Sequence, residues 1–333
     1  MDFSLSGLPS HKSSEKQHVK LLIIGSGPAG FTAALYAARA DLNPVIFTGM
    51  ELGGQVSLTY AVENYPGFPE GVGGAELVEL FQKQAERFGA KVEFDTVVGV
   101  DFSVRPFLVR TYSNEYLADA IVITTGATPK HLNVAGEVEL TGRGVSYCAT
   151  CDGWFFKDKD VIVAGGGDSA LEEGIFLTRY AKSITIVHRR EELRASAILQ
   201  ARALKNPKIK FIWNSVITDI IGDEAVKKVR LKNVRDGEVS EISADGVFIF
   251  IGHTPNSQIF ENQIELDNQG YVIVDRLMHT NVAGVFAAGE VADPTFRQVI
   301  TSAGMGAAAA MQAIHYLEAL DQAKVETTIP LQG

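Results

Sequence analysis

Only two of the 333 residues are cysteine, and basic side chains are outnumbered: 30 Lys and Arg stand against 40 Asp and Glu, a formal net charge of −10. That balance argues against a nucleic-acid surface and against adhesion to an anionic membrane, because both need basic patches. No apolar run approaches the roughly 18 residues that span a bilayer, and residues 1–17 lack the hydrophobic centre of an export signal. A cytoplasmic protein that meets small molecules and other proteins is the expectation. So few cysteines also exclude a disulfide framework of the secreted kind.

What the chain has is apolar residues (46%) and glycine (32 residues), enough to bury about two domain cores. The two cysteines, Cys148 and Cys151, lie together in GVSYCATCDGWFFKDK. A bridge closing so short a loop constrains the unfolded chain little. A zinc site wants four ligands, and His131 and His188 do not stand at finger-like spacing, so no metal is expected. Two small core residues remain a bland alternative. In a reducing compartment a Cys-x-x-Cys pair reads best as a redox dithiol, one thiol activated as nucleophile and the second placed to resolve the mixed disulfide.

A dithiol of this kind needs an electron source. The apolar run VKLLII at 19–24 leads into GSGPAG and a helix from Pro28 to Ala40, a nucleotide-binding turn between strand and helix. Gly25 permits the tight turn, Gly27 lets backbone N–H groups approach a pyrophosphate, and Gly30 lets the helix pack closely. Pro28 suits the first helical position. The next strand, PVIF, ends at Thr48 with Glu51 shortly after, so the acidic ribose contact is left open. The pattern returns at 160–164 with Gly165, Gly166 and Gly167 and with Ala170 at the close-packing position. Its following strand, SITIV, ends in His188, Arg189 and Arg190, with Arg194 one helical turn on. Arginine at that point pairs with a 2′-phosphate and implies NADPH over NADH; a solvated basic turn is the plain alternative. Two dinucleotide sites and one dithiol suggest a relay from NADPH through a flavin to the disulfide.

With GSGPAGFTAALYAARA, the Gly53-Gly54-Gln55 triplet, VENYPGFPEG, CATCDGWFF, GGGDSALEE, HRR, GHTPN and GVFAAGEVADPTFRQVITSAG in this order, the chain from about Val19 to about Ala323 resembles the low-molecular-weight thioredoxin reductases. The resemblance implies an α/β fold of two Rossmann-like, three-layer nucleotide-binding domains. The FAD domain would be discontinuous (18–128 and 255–324), the NADPH domain inserted at 129–254, with loose tails at 1–17 and 325–333. Gly25, Ser26, Gly27, Pro28, Ala29 and Gly30 would cradle FAD, with Thr48, Glu51, Gly53, Gly54, Gln55, Asn64 and Gly126 around it. Gly289 and Glu290 would meet the ribityl chain, and Arg297, Gln298 and Val299 the polar end of the flavin ring. NADPH would lie on Gly165, Gly166, Gly167, Asp168, Ser169, Ala170, the basic cluster, Ile251 and Gly252.

By the same resemblance Cys151 contacts the flavin, Cys148 attacks the partner's disulfide and Asp152 manages the protons, its alternative role being to cap the turn. Arg143 and Phe155-Phe156 resemble a surface that grips thioredoxin; the two phenylalanines read equally as core. Dithiol and nicotinamide share the inserted domain and compete for one flavin, which implies a rotation hinged near Gly126 and Gly252. A homodimer is implied as well. Glu290 departs from the family's usual Asp and asks for a small adjustment. Two other readings stand beside this one: a reductase of a different disulfide, such as a glutaredoxin-like protein, and a flavin redox sensor that does not turn over.

Overall fold

The computed structural model of the protein describes residues 16–59 and 61–328, and a pair of compact units divides them. The first unit takes the chain up to Ser57, Gly74–Ala127 and the part from Pro255 on; the second takes Leu58–Gly73 and Thr128–Thr254. Most of the expected N-terminal tail lies outside the described residues, and strand β1 already begins at Gln17. The expected C-terminal tail differs from 325 to 328, where the last helix continues; the rest of it lies outside the described residues.

In chain order the first unit opens with β1 (Gln17–Ile24), α1 (Pro28–Arg39), β2 (Val45–Phe47), α2 (Gly74–Arg87), β3 (Lys91–Glu93), β4 (Val97–Asp101), β5 (Phe107–Thr111) and β6 (Glu115–Ile123). A connecting strand, β7 (Ala127–Pro129), leads into the second unit. There follow β8 (Val145–Ser146), α3 (Ala149–Asp152), β9 (Asp160–Gly165), α4 (Asp168–Leu177), β10 (Ser183–Val187), α5 (Ala197–Lys205) and β11 (Ile209–Ile212). Then come β12 (Ser215–Gly222), β13 (Val226–Asn233), β14 (Val239–Ser243) and β15 (Gly246–Phe250). The return connector β16 (His253–Pro255) pairs with β7, and β17 (Val285–Ala287) and α6 (Val299–Thr328) complete the first unit.

In the first unit the strand order is β3-β2-β1-β6-β5-β4, with β17 also on β6. Strand β6 serves two partners along one edge: β5 runs antiparallel beside Glu115–Ala118 and β17 parallel beside Ile121–Ile123. The central strand β1 is buried over its last four residues, as a parallel strand covered on both faces should be. Leu21 and Ile23 face α1 and α6, while Leu22 and Ile24 face Phe47, Phe107 and Val109 on the other side. Helices α1 and α6 approach closely because alanine lines both; a methyl on Gly306 would strike the Ala29 carbonyl.

The second unit repeats the scheme. Its parallel sheet runs β11-β10-β9-β15-β8. Val161 and Val163 pack on Ala170, Leu171 and Ala203 of α4 and α5, whereas Ile162 and Ala164 face Ile217, Val229 and Leu231 of the antiparallel sheet β12-β13-β14. Each unit thus has three layers around a mostly parallel sheet, the α/β architecture that alternating strands and helices imply. In both, a glycine turn sits at the C-terminal end of the central strand, where such folds bind ligands. No helix among the described residues is long and apolar enough to cross a membrane.

Candidate active site

Strand β8 ends at Ser146, and two residues later Cys148 caps a short helix, its backbone extended at φ −142° and ψ 109°. Cys148 and Cys151 form a disulfide with Cα atoms 5.3 Å apart. The Cys151 N–H donates to Cys148 Sγ at 3.2 Å, so a thiolate on Cys148 would gain a backbone donor that stabilises its charge. Ser146, 4% exposed, ties the motif together: its Oγ accepts from the Cys148 N–H at 3.1 Å and donates to Asp152 Oδ2 at 2.6 Å. Burial pushes the Asp152 carboxyl above the usual carboxylate range, and the Ser146 hydroxyl offsets part of that rise. A carboxyl whose pKa is raised by burial therefore stands one residue from Cys151.

Behind the dithiol lies a second polar cluster that sequence reading did not single out. The Glu137 side chain, 1% exposed, accepts from the Leu132 N–H at 3.0 Å, the Asn133 N–H at 2.7 Å and the Tyr147 hydroxyl at 2.8 Å. Desolvation pushes Glu137 up, but those bonds, with the Val134 N–H, hold its carboxyl below the ordinary value; burial and Glu137 together raise the Tyr147 phenol. Through Tyr147 this anchors the segment between Ser146, at the end of β8, and Cys148. Only the residue types, not their pairing, are visible in the sequence.

In the first unit Gly25 (φ +111°) leaves no room for a side chain against Thr124, and Gly30 packs on the Gly25 carbonyl. Gly27 differs: a methyl there would meet only the Gly53 carbonyl, at 4.0 Å, and it faces open space at the N-terminus of α1. Ser26 Oγ donates to the Thr48 carbonyl at 3.1 Å and accepts from the Gly53 N–H at 3.0 Å, which fixes Gly53 and Gly54 beside the turn. Glu51 is exposed past the end of β2. Farther on, Gly289 (φ +76°) packs on Ala29, and Asp293, 6% exposed, accepts from the N–H groups of Thr295, Phe296 and Arg297 at 2.9, 3.0 and 3.2 Å. That turn holds Arg297 at φ +51°, ahead of Gln298 and Val299. Burial, opposed by the Arg297 charge and helped by Asp293, pushes Glu290 up to about 7.

In the second unit Gly165 packs against Ala170 and the Phe250 carbonyl, while nothing lies within 4 Å of a methyl built on Gly167. Each turn therefore has one glycine at the strand, one close-packing position and one glycine open at a helix N-terminus, which fits a dinucleotide pyrophosphate. Arg189, Arg190 and Arg194 are exposed. His188 differs from its neighbours: it is 5% exposed, lies beneath Gly166, and its Nε2 donates to the Glu192 carbonyl at 3.1 Å. Desolvation, with the charges of Arg194 and Arg190, pushes its pKa down, so it carries no charge toward a phosphate. Asp168 also turns elsewhere, accepting the Ser196 N–H at 2.8 Å.

A family model described as pyridine nucleotide-disulphide oxidoreductase matches residues 19–311. The chain belongs to that family. Within it, the chain groups with the low-molecular-weight thioredoxin reductases. Thioredoxin reductase of Streptomyces coelicolor is 49% identical over 92% of this chain and 98% of its own length, and that of Chlamydia trachomatis 50% identical over 90% and 99%. Among solved structures, thioredoxin reductase from Streptococcus pyogenes matches with a TM-score of 0.87 at 42% identity, covering 92% of this chain and all of its own. Membership implies a flavin and a pyridine nucleotide.

Two residues of the expected partner-gripping surface part company. Phe155 is 41% exposed beside Trp154 at 56%, whereas Phe156 is core, edge-on to Phe248 at 5.0 Å with Gly246 against its ring. Arg143 is exposed and donates to the Glu139 carbonyl. Asn64 lies in Leu58–Gly73, the segment that clusters with the second unit of this pyridine nucleotide-disulphide oxidoreductase. Ser169 is half-buried in the first turn of α4, and Gly126 (φ +69°), Ile251 and Gly252 (φ +111°) flank the β7–β16 ribbon.

Proposed function

We propose that the protein is an NADPH-dependent thioredoxin-disulfide reductase carrying FAD, and the observation that carries this reading is the oxidised Cys148–Cys151 pair beside the half-buried Asp152. Gly25 to Gly30, Thr48, Glu51, Gly53, Gly54, Gln55, Asn64, Gly126, Gly289, Glu290, Arg297, Gln298 and Val299 are the proposed FAD residues. Gly165 to Gly167, Ser169, Ala170, Ile251, Gly252 and the three arginines are proposed for NADPH. His188 and Asp168 support them from behind. Held by these residues, FAD would supply two-electron chemistry between the nicotinamide and the Cys148–Cys151 disulfide.

Once reduced, Cys148 Sγ attacks one sulfur of the partner's disulfide, forming a mixed disulfide and releasing the partner's other sulfur as a thiolate. Cys151 Sγ then attacks Cys148, which restores the Cys148–Cys151 disulfide and frees the partner as a dithiol. Asp152 holds a proton for the departing thiolate, and Ser146 keeps its carboxyl oriented. Exposed Trp154 and Phe155 offer the partner an apolar contact.

Rotation of one unit against the other about the β7–β16 ribbon would bring the dithiol and the nicotinamide to the flavin in turn. Hydrogen bonds close the ribbon at both ends, Asn256 N–H to the Gly126 carbonyl at 3.0 Å and Lys130 N–H to the Gly252 carbonyl at 2.9 Å. Gly126 and Gly252 provide the backbone freedom for that rotation. A cytoplasmic homodimer completes the proposal and is checked by light scattering of the purified protein. Reduction of thioredoxin by NADPH in the presence of the wild-type protein, and its loss in Cys148→Ser, tests the function.

A further inference from the structure

The basic loop after β10 is stapled to the second glycine turn by backbone hydrogen bonds. The Arg194 N–H donates to the Gly166 carbonyl at 2.8 Å, and two residues on the Ser196 N–H donates to Asp168 Oδ1 at 2.8 Å. From below, His188 fills the space under Gly166 and holds the Glu192 carbonyl. Gln200 Nε2 caps the same stretch by donating to the Ala195 carbonyl at 2.7 Å. At the near end the Asn214 N–H donates to the Arg190 carbonyl at 3.2 Å. The segment from Arg190 to Ser196 is therefore held in fixed register to Gly166–Asp168.

Resting on the assignment of this turn to NADPH, we propose that Asp168 is a positioning residue for 2′-phosphate selectivity. It touches no phosphate itself. Its carboxylate fixes the backbone of the loop that carries Arg194, and so fixes the spacing between the guanidinium and the pyrophosphate position at Gly167. Four observations point the same way. The carboxylate is spent on the Ser196 N–H, which also holds its pKa below the ordinary value. Arg194 is bonded through its own backbone to the same turn, and its side chain is exposed. The charges of Arg190 and Arg194 both act on His188, which lies under Gly166. Gly167 is open at the N-terminus of α4. A dinucleotide bearing a third anionic group is read by geometry as well as by charge, because a bidentate guanidinium contact depends on alignment.

The test is calorimetric titration of the purified flavoprotein with adenosine 2′,5′-bisphosphate and with adenosine 5′-monophosphate, whose affinity ratio reports 2′-phosphate recognition without turnover. In Asp168→Ala the ratio is expected to fall roughly tenfold, the scale of one charge-assisted hydrogen bond, while the monophosphate binds within about threefold of wild type. Asp168→Asn keeps a side-chain acceptor for the Ser196 N–H and is expected to retain the ratio within about threefold. In an Arg194→Ala background the Asp168→Ala change is expected to add little, since it acts through Arg194.

A ratio unchanged or raised in Asp168→Ala would overturn the proposal, as would equal loss in the Asn variant, which would assign the effect to charge. Wild-type protein with no preference for the bisphosphate would overturn the NADPH assignment itself, and the positioning role with it.

Discussion

Ser146 donates a 2.6 Å hydrogen bond to Asp152 while accepting the backbone N–H of Cys148, so one buried hydroxyl joins the Asp152 carboxyl to Cys148, the proposed attacking cysteine. Burial raises Asp152, and this bond is the one influence lowering it. The carboxyl is protonated below its raised pKa and ionises as pH climbs through it, so its service as an acid fades on the alkaline side. Removing the hydroxyl in Ser146→Ala raises the pKa further and is expected to move that limb of the dithiol-exchange rate to higher pH. Ser146→Thr keeps the wild-type profile. Asp152→Asn abolishes the limb and slows exchange by roughly a hundredfold, the low end for general acid catalysis. Rate against pH, with chemically reduced protein and a small disulfide, checks all three.

The N–H of Cys151 points at Cys148 Sγ, at 3.2 Å. After mild reduction Cys148 is therefore expected to have the lower thiol pKa and to be alkylated by iodoacetamide first. Peptide mass spectrometry of briefly labelled protein reads the order, and equal or preferential labelling of Cys151 would contradict it.

The glycines of the first turn have separable jobs. Gly27 has an ordinary φ of −68° and open space before it, so Gly27→Ala is expected to fold normally, with stability within about 1 kcal/mol of wild type, yet to purify without flavin. A methyl on Gly30 strikes the Gly25 carbonyl; Gly30→Ala should cost about 3 kcal/mol or more or fail to fold. Denaturant unfolding and the flavin absorbance of the two proteins distinguish the roles.

Glu290 gives a pH signature to the flavin-free protein. Its carboxyl moves from an ordinary 4.5 to about 7, mainly through burial. Below the ordinary value the folded and unfolded chains both carry the proton. As pH rises from there to about 7 the unfolded chain alone ionises readily, and stability is lost across that window, by up to about 3 kcal/mol. Glu290→Gln removes the loss. It should raise the melting temperature at pH 8 and leave it nearly unchanged at pH 4.5; an equal shift at both would contradict the burial argument.

Much of the fold is legible in the residue types alone. Strand SITIV occupies Ser183–Val187, and both glycine turns follow buried strands, because close backbone packing leaves a short-range signature of residue types. What stays hidden depends on contacts distant in the chain or on burial. The basic appearance of HRR does not show that His188 sits under Gly166, nor does WFF show which ring enters the core. Neither Ser146 nor Glu137 looks different from any solvated Ser or Glu until its donors are placed around it. Asp168 fits a nucleotide motif by position, yet its carboxylate faces Ser196, 28 residues further along.

The central claim is a relay ending at Cys148, and the most direct measurement is NADPH oxidation coupled to reduction of a thioredoxin from the same source, with NADH in parallel, for wild type and Cys148→Ser. The expected result is turnover selective for NADPH in the wild type and none in the variant, with flavin reduction by NADPH intact in both. Thioredoxin reduction that survives in Cys148→Ser, or a flavin that NADPH does not bleach in the wild type, would contradict the account.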